Sequence, residues 1–110
     1  MPIHKTIGRG MTAVSLACFL VAICRAEEGS PSTKTGAMVY LDYCSSCHGD
    51  GLQNTSGGVT FDLRRLRPQD HDRFVNSVLN GKNQMPPWRD ALDQQQIESI
   101  WAYIRANVDR

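Results

Sequence analysis

The sequence predicts an all-α fold of three to four short helices joined by loops. Two observations point there. Apolar residues recur at the helical period in the last third of the chain, most clearly at Ile97, Ile100, Trp101, Ile104 and Val108. Glycine, proline and asparagine punctuate the remainder, and no run of β-branched residues reads as a strand. The sequence contains no internal repeat.

Residues 1–26 read as a secretory signal rather than as part of the fold. His4, Lys5 and Arg9 form a basic start, Met11 to Ile23 is uncharged and mostly apolar, and Cys24-Arg25-Ala26 supplies small residues at the −3 and −1 positions for cleavage after Ala26. The apolar run of 13 residues falls short of the roughly 20 that span a bilayer, so no membrane anchor is expected. Export implies a periplasmic protein. Cleavage would leave 84 of the 110 residues, and Cys18 and Cys24 would leave with the signal. Without Lys5, Arg9 and Arg25 there remain 9 bases against 11 acids, a formal charge of −2. A mildly acidic domain is poorly suited to nucleic acid.

Residues 27–35 are polar, with Gly29, Ser30, Pro31 and Ser32 together, and read as a flexible lead-in to a domain over 36–108. Gly36 to Cys47 is compatible with a short helix, carrying Val39, Tyr40, Leu41 and Tyr43, with Met38 as core packing. Gly49 to Gln69 holds Gly49, Gly51, Gly57 and Gly58, and reads as a loop that bends closely around something. Asp70 to Asn80 carries the stripe Phe74, Val75, Val78 and Leu79, with Gly81 as its stop. Pro86-Pro87 keeps Lys82 to Trp88 out of any helix. Asp93 to Val108 is the clearest helix, opened by Asp93 with Gln96 three residues on as a capping box.

One motif carries the chemistry. Cys44-Ser45-Ser46-Cys47-His48 is C-x-x-C-H, the attachment signature of a c-type haem. Two thiols at this spacing can each add to a vinyl group of one porphyrin, and the following imidazole can supply the proximal iron ligand. The competing readings fail on context. A redox dithiol needs a βαβ setting, and a zinc site needs a second Cys/His pair that is not there. A Cys44–Cys47 disulfide would close too short a loop to stabilise much. An 84-residue chain is small for a core of its own, and a covalent porphyrin, in one copy, would give it an apolar centre. Phe61, Leu63 and Leu66 would then lie against the ring.

Met85 is the candidate for the second axial position, in a non-helical segment whose two prolines fix the backbone after it. His71, between Asp70 and Asp72, is the rival ligand and more simply a surface histidine. The Trp88 indole N–H could meet a haem propionate or merely pack. One of Arg64, Arg65 and Arg67 could pair with a propionate, leaving the others solvated.

These residues resemble the class I cytochromes c, small periplasmic carriers with one haem. The resemblance covers Gly36 to Asn107 and rests on Gly36, Tyr40, the Cys44–His48 motif with Gly49, Met85-Pro86, and Trp101-Ala102-Tyr103-Ile104. It implies a first and last helix crossing at Gly36, beside an aromatic near Trp101 or Tyr103. It also implies axial ligation by His48 and Met85, and covalent haem c on Cys44 and Cys47.

More narrowly, residues 61–104 resemble small cytochromes that serve periplasmic quinoprotein alcohol dehydrogenases. The function expected is a monomeric carrier that is not an enzyme. It would dock weakly and transiently near Ser45 and Ser46, taking electrons from such a dehydrogenase and passing them to another cytochrome or a terminal oxidase. A haem subunit held in a dehydrogenase complex is the alternative. A haem enzyme or sensor would need an open sixth position.

Overall fold

The computed structural model describes residues 30–54 and 57–109. The signal assigned to residues 1–26 and the start of the lead-in lie outside them. Among the described residues four helices carry the fold: α1 (Thr33–Tyr43), α2 (Ser45–His48), α3 (His71–Asn80) and α4 (Gln94–Val108). Two 3-10 turns, Leu63–Arg65 and Pro68–Asp70, stand between α2 and α3. Among the described residues there is no strand, only an isolated bridge between Lys82 and Met85.

Helix α1 begins earlier than its apolar pattern implied. Ser32 caps it by accepting from the Thr35 amide, so Thr33 to Thr35 belong to the helix rather than to a flexible lead-in. Its buried residues are Gly36, Val39 and Tyr40, which pack against α4. Met38 is 53% exposed, against the expectation that it packs in the core. At about 100° per residue it lies roughly 200° round the helix from Gly36, away from that face.

Gly36 is required by the crossing. A Cβ there would stand 1.8 Å from the Ser99 carbonyl oxygen and 2.9 Å from the Tyr103 Cβ. The close approach expected at this position therefore exists, with the Ser99 backbone as the nearer neighbour. Ser99 is itself buried and ties the start of α1 to α4, its hydroxyl accepting from the Ser32 amide at 3.2 Å.

Helix α4 starts as its sequence predicts. Asp93 accepts from the Gln96 amide at 2.7 Å while the Gln96 side chain accepts from the Asp93 amide at 2.9 Å. Ile97, Ile100 and Ile104 are fully buried, and Trp101 and Val108 flank them. The core also takes in Leu52, Leu63, Leu66, Phe74, Val78 and Leu92, so three residues of the long loop pack against the protein itself. Helix α3 ends at Gly81, at φ 74°. A side chain there would meet the Met85 carbonyl oxygen at 2.6 Å, so this glycine both stops α3 and lets the Met85 segment fold back over it.

Candidate haem site

Cys44 ends α1 and leads into the single turn of α2, which ends with His48. Cys44 is half-buried and Cys47 exposed, and neither is in a disulfide. Burial, with Cys47 nearby, pushes the Cys44 thiol up to about 11, so it stays protonated at neutral pH.

Three bonds from outside hold this turn. The Tyr40 hydroxyl donates to the Gly49 carbonyl at 2.5 Å. The Thr60 hydroxyl donates to the Cys47 carbonyl at 3.0 Å. The His48 Nδ1 lies 3.2 Å from the Phe61 carbonyl oxygen, which fixes Nδ1 as the protonated nitrogen and leaves Nε2 with its lone pair. Burial lowers the His48 pKa, and the Phe61 bond opposes that only in part, so the imidazole is neutral. A neutral ring with one nitrogen tied to a carbonyl is the form in which histidine ligates a metal. Buried Tyr40 keeps its proton well above the usual phenol range, chiefly through burial, and so remains a donor.

The donor set fits a covalently attached haem. Two free thiols stand two residues apart on one turn, and the next residue offers a neutral, oriented imidazole. Leu41, Tyr43, Val59 and Phe61 are exposed apolar or aromatic residues on the segments that flank or bond to this turn. Among the described residues no group of three or more His, Cys, Asp or Glu is placed to hold a metal ion.

Met85 is half-buried against the core. Its backbone is held on both sides, by the Lys82 amide to its carbonyl at 3.1 Å and by its own amide to the Lys82 carbonyl at 2.9 Å. Asn83, inside that turn, takes φ 54°. Trp88 packs edge-on against Tyr43, ring centres 5.5 Å apart, and its amide donates to the Val78 carbonyl at 2.8 Å.

The other sequence candidates lie apart from this turn. His71 bridges Glu98 at 2.8 Å and Asp72 at 3.1 Å, which raises its pKa, and packs edge-on against Trp101. Arg64 is paired with Asp62 at 2.7 Å. Arg65 and Arg67 line an open groove of about 690 Å³ with Arg73 and Arg105. Of the loop residues expected to face a porphyrin, Leu63 and Leu66 are in the core, while Phe61 is 43% exposed beneath the Arg73 guanidinium. Thr60, Asn54 and the Phe61 carbonyl were not legible as site residues, since a backbone acceptor and two loop polars carry no motif.

The family model described as cytochrome c oxidase, cbb3-type, subunit III matches residues 31–104. Quinohemoprotein alcohol dehydrogenase ADH-IIG of Pseudomonas putida is 39% identical over 71% of the chain, but the chain spans only 11% of that protein's length. Its solved structure superposes with a TM-score of 0.63 at 28% identity, over 98% of this chain and 14% of that one. Cytochrome c6 of Nostoc sp. is 31% identical, covering 67% of this chain and 69% of its own length. The structure of cytochrome c6 from the diatom Phaeodactylum tricornutum matches with a TM-score of 0.58 at 23% identity, over 71% of this chain and 95% of that one. Covalent haem c is the cofactor that the family carries, and Cys44 and Cys47 are present to hold it. The chain belongs to the cytochrome c family, as a single-haem electron-transfer domain of the cbb3-type and c6-like kind.

Proposed function

We propose that this protein is an exported, periplasmic carrier, not an enzyme, that takes single electrons from a dehydrogenase and delivers them to another cytochrome or a terminal oxidase. In this reading Cys44 and Cys47 would form the two thioether links, and His48 Nε2 and the Met85 sulfur would hold the iron. When bound, haem c supplies an iron that exchanges one electron without gaining or losing a ligand.

The observation that carries the reading is the His48 ring, tied through Nδ1 to the Phe61 carbonyl so that Nε2 is the nitrogen left to ligate. The Lys82–Met85 bridge supports Met85 by fixing where its side chain leaves the backbone. A soft thioether opposite an imidazole would hold the potential higher than two imidazoles would. Ser46 and Cys47 are exposed beside the attachment turn, which suits brief docking at a haem edge. The likeness to part of a quinohemoprotein alcohol dehydrogenase supports a dehydrogenase as the electron donor.

The visible spectrum of the purified protein tests the ligation. A weak long-wavelength band in the oxidised state, lost in Met85→Ala, is expected; a high-spin, five-coordinate native iron would overturn the carrier reading. The same likeness favours one alternative, a haem subunit held within a larger dehydrogenase, because the related segment there is part of a longer chain. Gel filtration of a native extract separates the two, since a free carrier elutes at its own small mass.

A further inference from the structure

We propose that Thr60 is a positioning residue for His48, acting through a strap formed by Thr60 and Phe61; this rests on His48 as an iron ligand. The two residues hold the attachment turn from the same side. The Thr60 hydroxyl donates to the Cys47 carbonyl at 3.0 Å, and the next carbonyl along, that of Phe61, receives His48 Nδ1 at 3.2 Å. Cys47 and His48 are consecutive, and so are Thr60 and Phe61. The two bonds therefore form a closed clamp that fixes both the backbone before the ligand and the orientation of its ring.

The strap is anchored from behind as well. The Asn54 side-chain amide donates to the Thr60 carbonyl, so Thr60 is held at its carbonyl and at its hydroxyl. The Phe61 ring sits under the Arg73 guanidinium, 5.4 Å from the ring centre, which adds an attachment to α3. Gly57 and Gly58, just before the strap, both take positive φ, at 67° and 99°, and let the chain turn back towards α2.

The chemical consequence concerns ligand basicity. A hydrogen bond from Nδ1–H to a carbonyl pushes electron density into the ring and strengthens Nε2 as a donor, favouring the oxidised metal. The Phe61 carbonyl keeps this bond only while the strap keeps its register on the turn. Loss of the Thr60 hydroxyl frees one arm of the clamp, weakens the Nδ1 bond and raises the midpoint potential. Serine retains the hydroxyl and valine matches the shape of threonine without it, so the pair separates hydrogen bonding from packing.

The test is the midpoint potential of the holoprotein in wild type, Thr60→Val, Thr60→Ser and Ser77→Ala. The last removes a comparable exposed bond, from the Ser77 hydroxyl to the Arg73 carbonyl at 2.8 Å, on the far helix. Thr60→Val should shift the oxidised-to-reduced ratio about threefold towards the reduced form, roughly 28 mV upward at 59 mV per tenfold for one electron. Thr60→Ser and Ser77→Ala should stay at the wild-type potential. Exchange of the His48 Nδ1 proton, followed by NMR, should quicken only in Thr60→Val. Equal potentials in Thr60→Val and Thr60→Ser overturn the proposal, as does an equal shift in Ser77→Ala. If Thr60→Val does not mature, Asn54→Ala is read in its place, and an unchanged potential there overturns it. A wild-type protein that matures without haem defeats the carrier reading itself, which separates the two failures.

Discussion

Replacing Gly36 with alanine adds one methyl group where α1 crosses α4. The added carbon would stand 1.8 Å from the Ser99 carbonyl oxygen and 2.4 Å from its carbon, whereas non-bonded atoms pack at roughly 3.5 Å. Both obstacles are backbone, so no side chain can turn aside, and the helices must part by about 1.5 Å. A gap of 0.5–1 Å already forfeits roughly a quarter to a half of each dispersion contact across it. The contacts at stake are those of Val39 and Tyr40 with a helix whose Ile97, Ile100 and Ile104 are fully buried. Removing most of one such side chain costs about 2–5 kcal/mol, and a partial separation of the interface should fall near the middle of that range. Against it stands the better helix propensity of alanine, about 1 kcal/mol. The net expectation is a loss of about 2–3 kcal/mol, or roughly 10–20 °C in Tm for a domain of this size. Urea and thermal unfolding of the holoprotein, followed by far-UV circular dichroism, read it directly. A Gly36→Ala protein as stable as the wild type, or more so, would refute the close crossing.

Three further outcomes follow from local geometry. Tyr40→Phe removes the donor to the buried Gly49 carbonyl and should cost about 1–2 kcal/mol in urea unfolding; no change would mean that the bond contributes nothing. Asp93→Ala removes the carboxylate that accepts from the Gln96 amide, leaving the bond from the backbone N–H of residue 93 to the Gln96 side chain, and should cost about 1 kcal/mol; a stability equal to wild type would count against the cap. The partners Glu98 and Asp72 raise the His71 pKa above its ordinary 6.5, so this contribution is complete below about pH 6.5 and disappears as pH rises through the raised value. His71 is partly solvated, so screening keeps the effect under about 1 kcal/mol. The stability difference between wild type and Glu98→Gln should therefore shrink from pH 5.5 to 8.5; a constant difference would remove His71 as its source.

Much of this architecture is legible in the residues. The α4 cap, its isoleucine stripe and the Gly81 stop are local rules, each set by side chains a few positions apart, and the structure follows them. The attachment turn is legible because its chemistry demands a fixed spacing of two thiols and an imidazole. What sequence reasoning misjudged depends on partners distant in the chain. Met38 looked like core because its neighbours are apolar, yet the face of α1 is chosen by where Gly36 meets Ser99. Ser99 carries no signal in the sequence, yet it is buried and the N-terminus of α1 lies on it. The frame around His48 comes from Tyr40, Thr60 and the Phe61 carbonyl, and a carbonyl oxygen has no letter in the alphabet.

The central claim is that one porphyrin is bonded through Cys44 and Cys47, and intact-mass analysis of the purified exported protein tests it most directly. The account predicts a single species of the processed chain plus one haem, with the added mass surviving acid denaturation and absent from a Cys44→Ala, Cys47→Ala double variant. A processed wild-type chain at its bare polypeptide mass would contradict it.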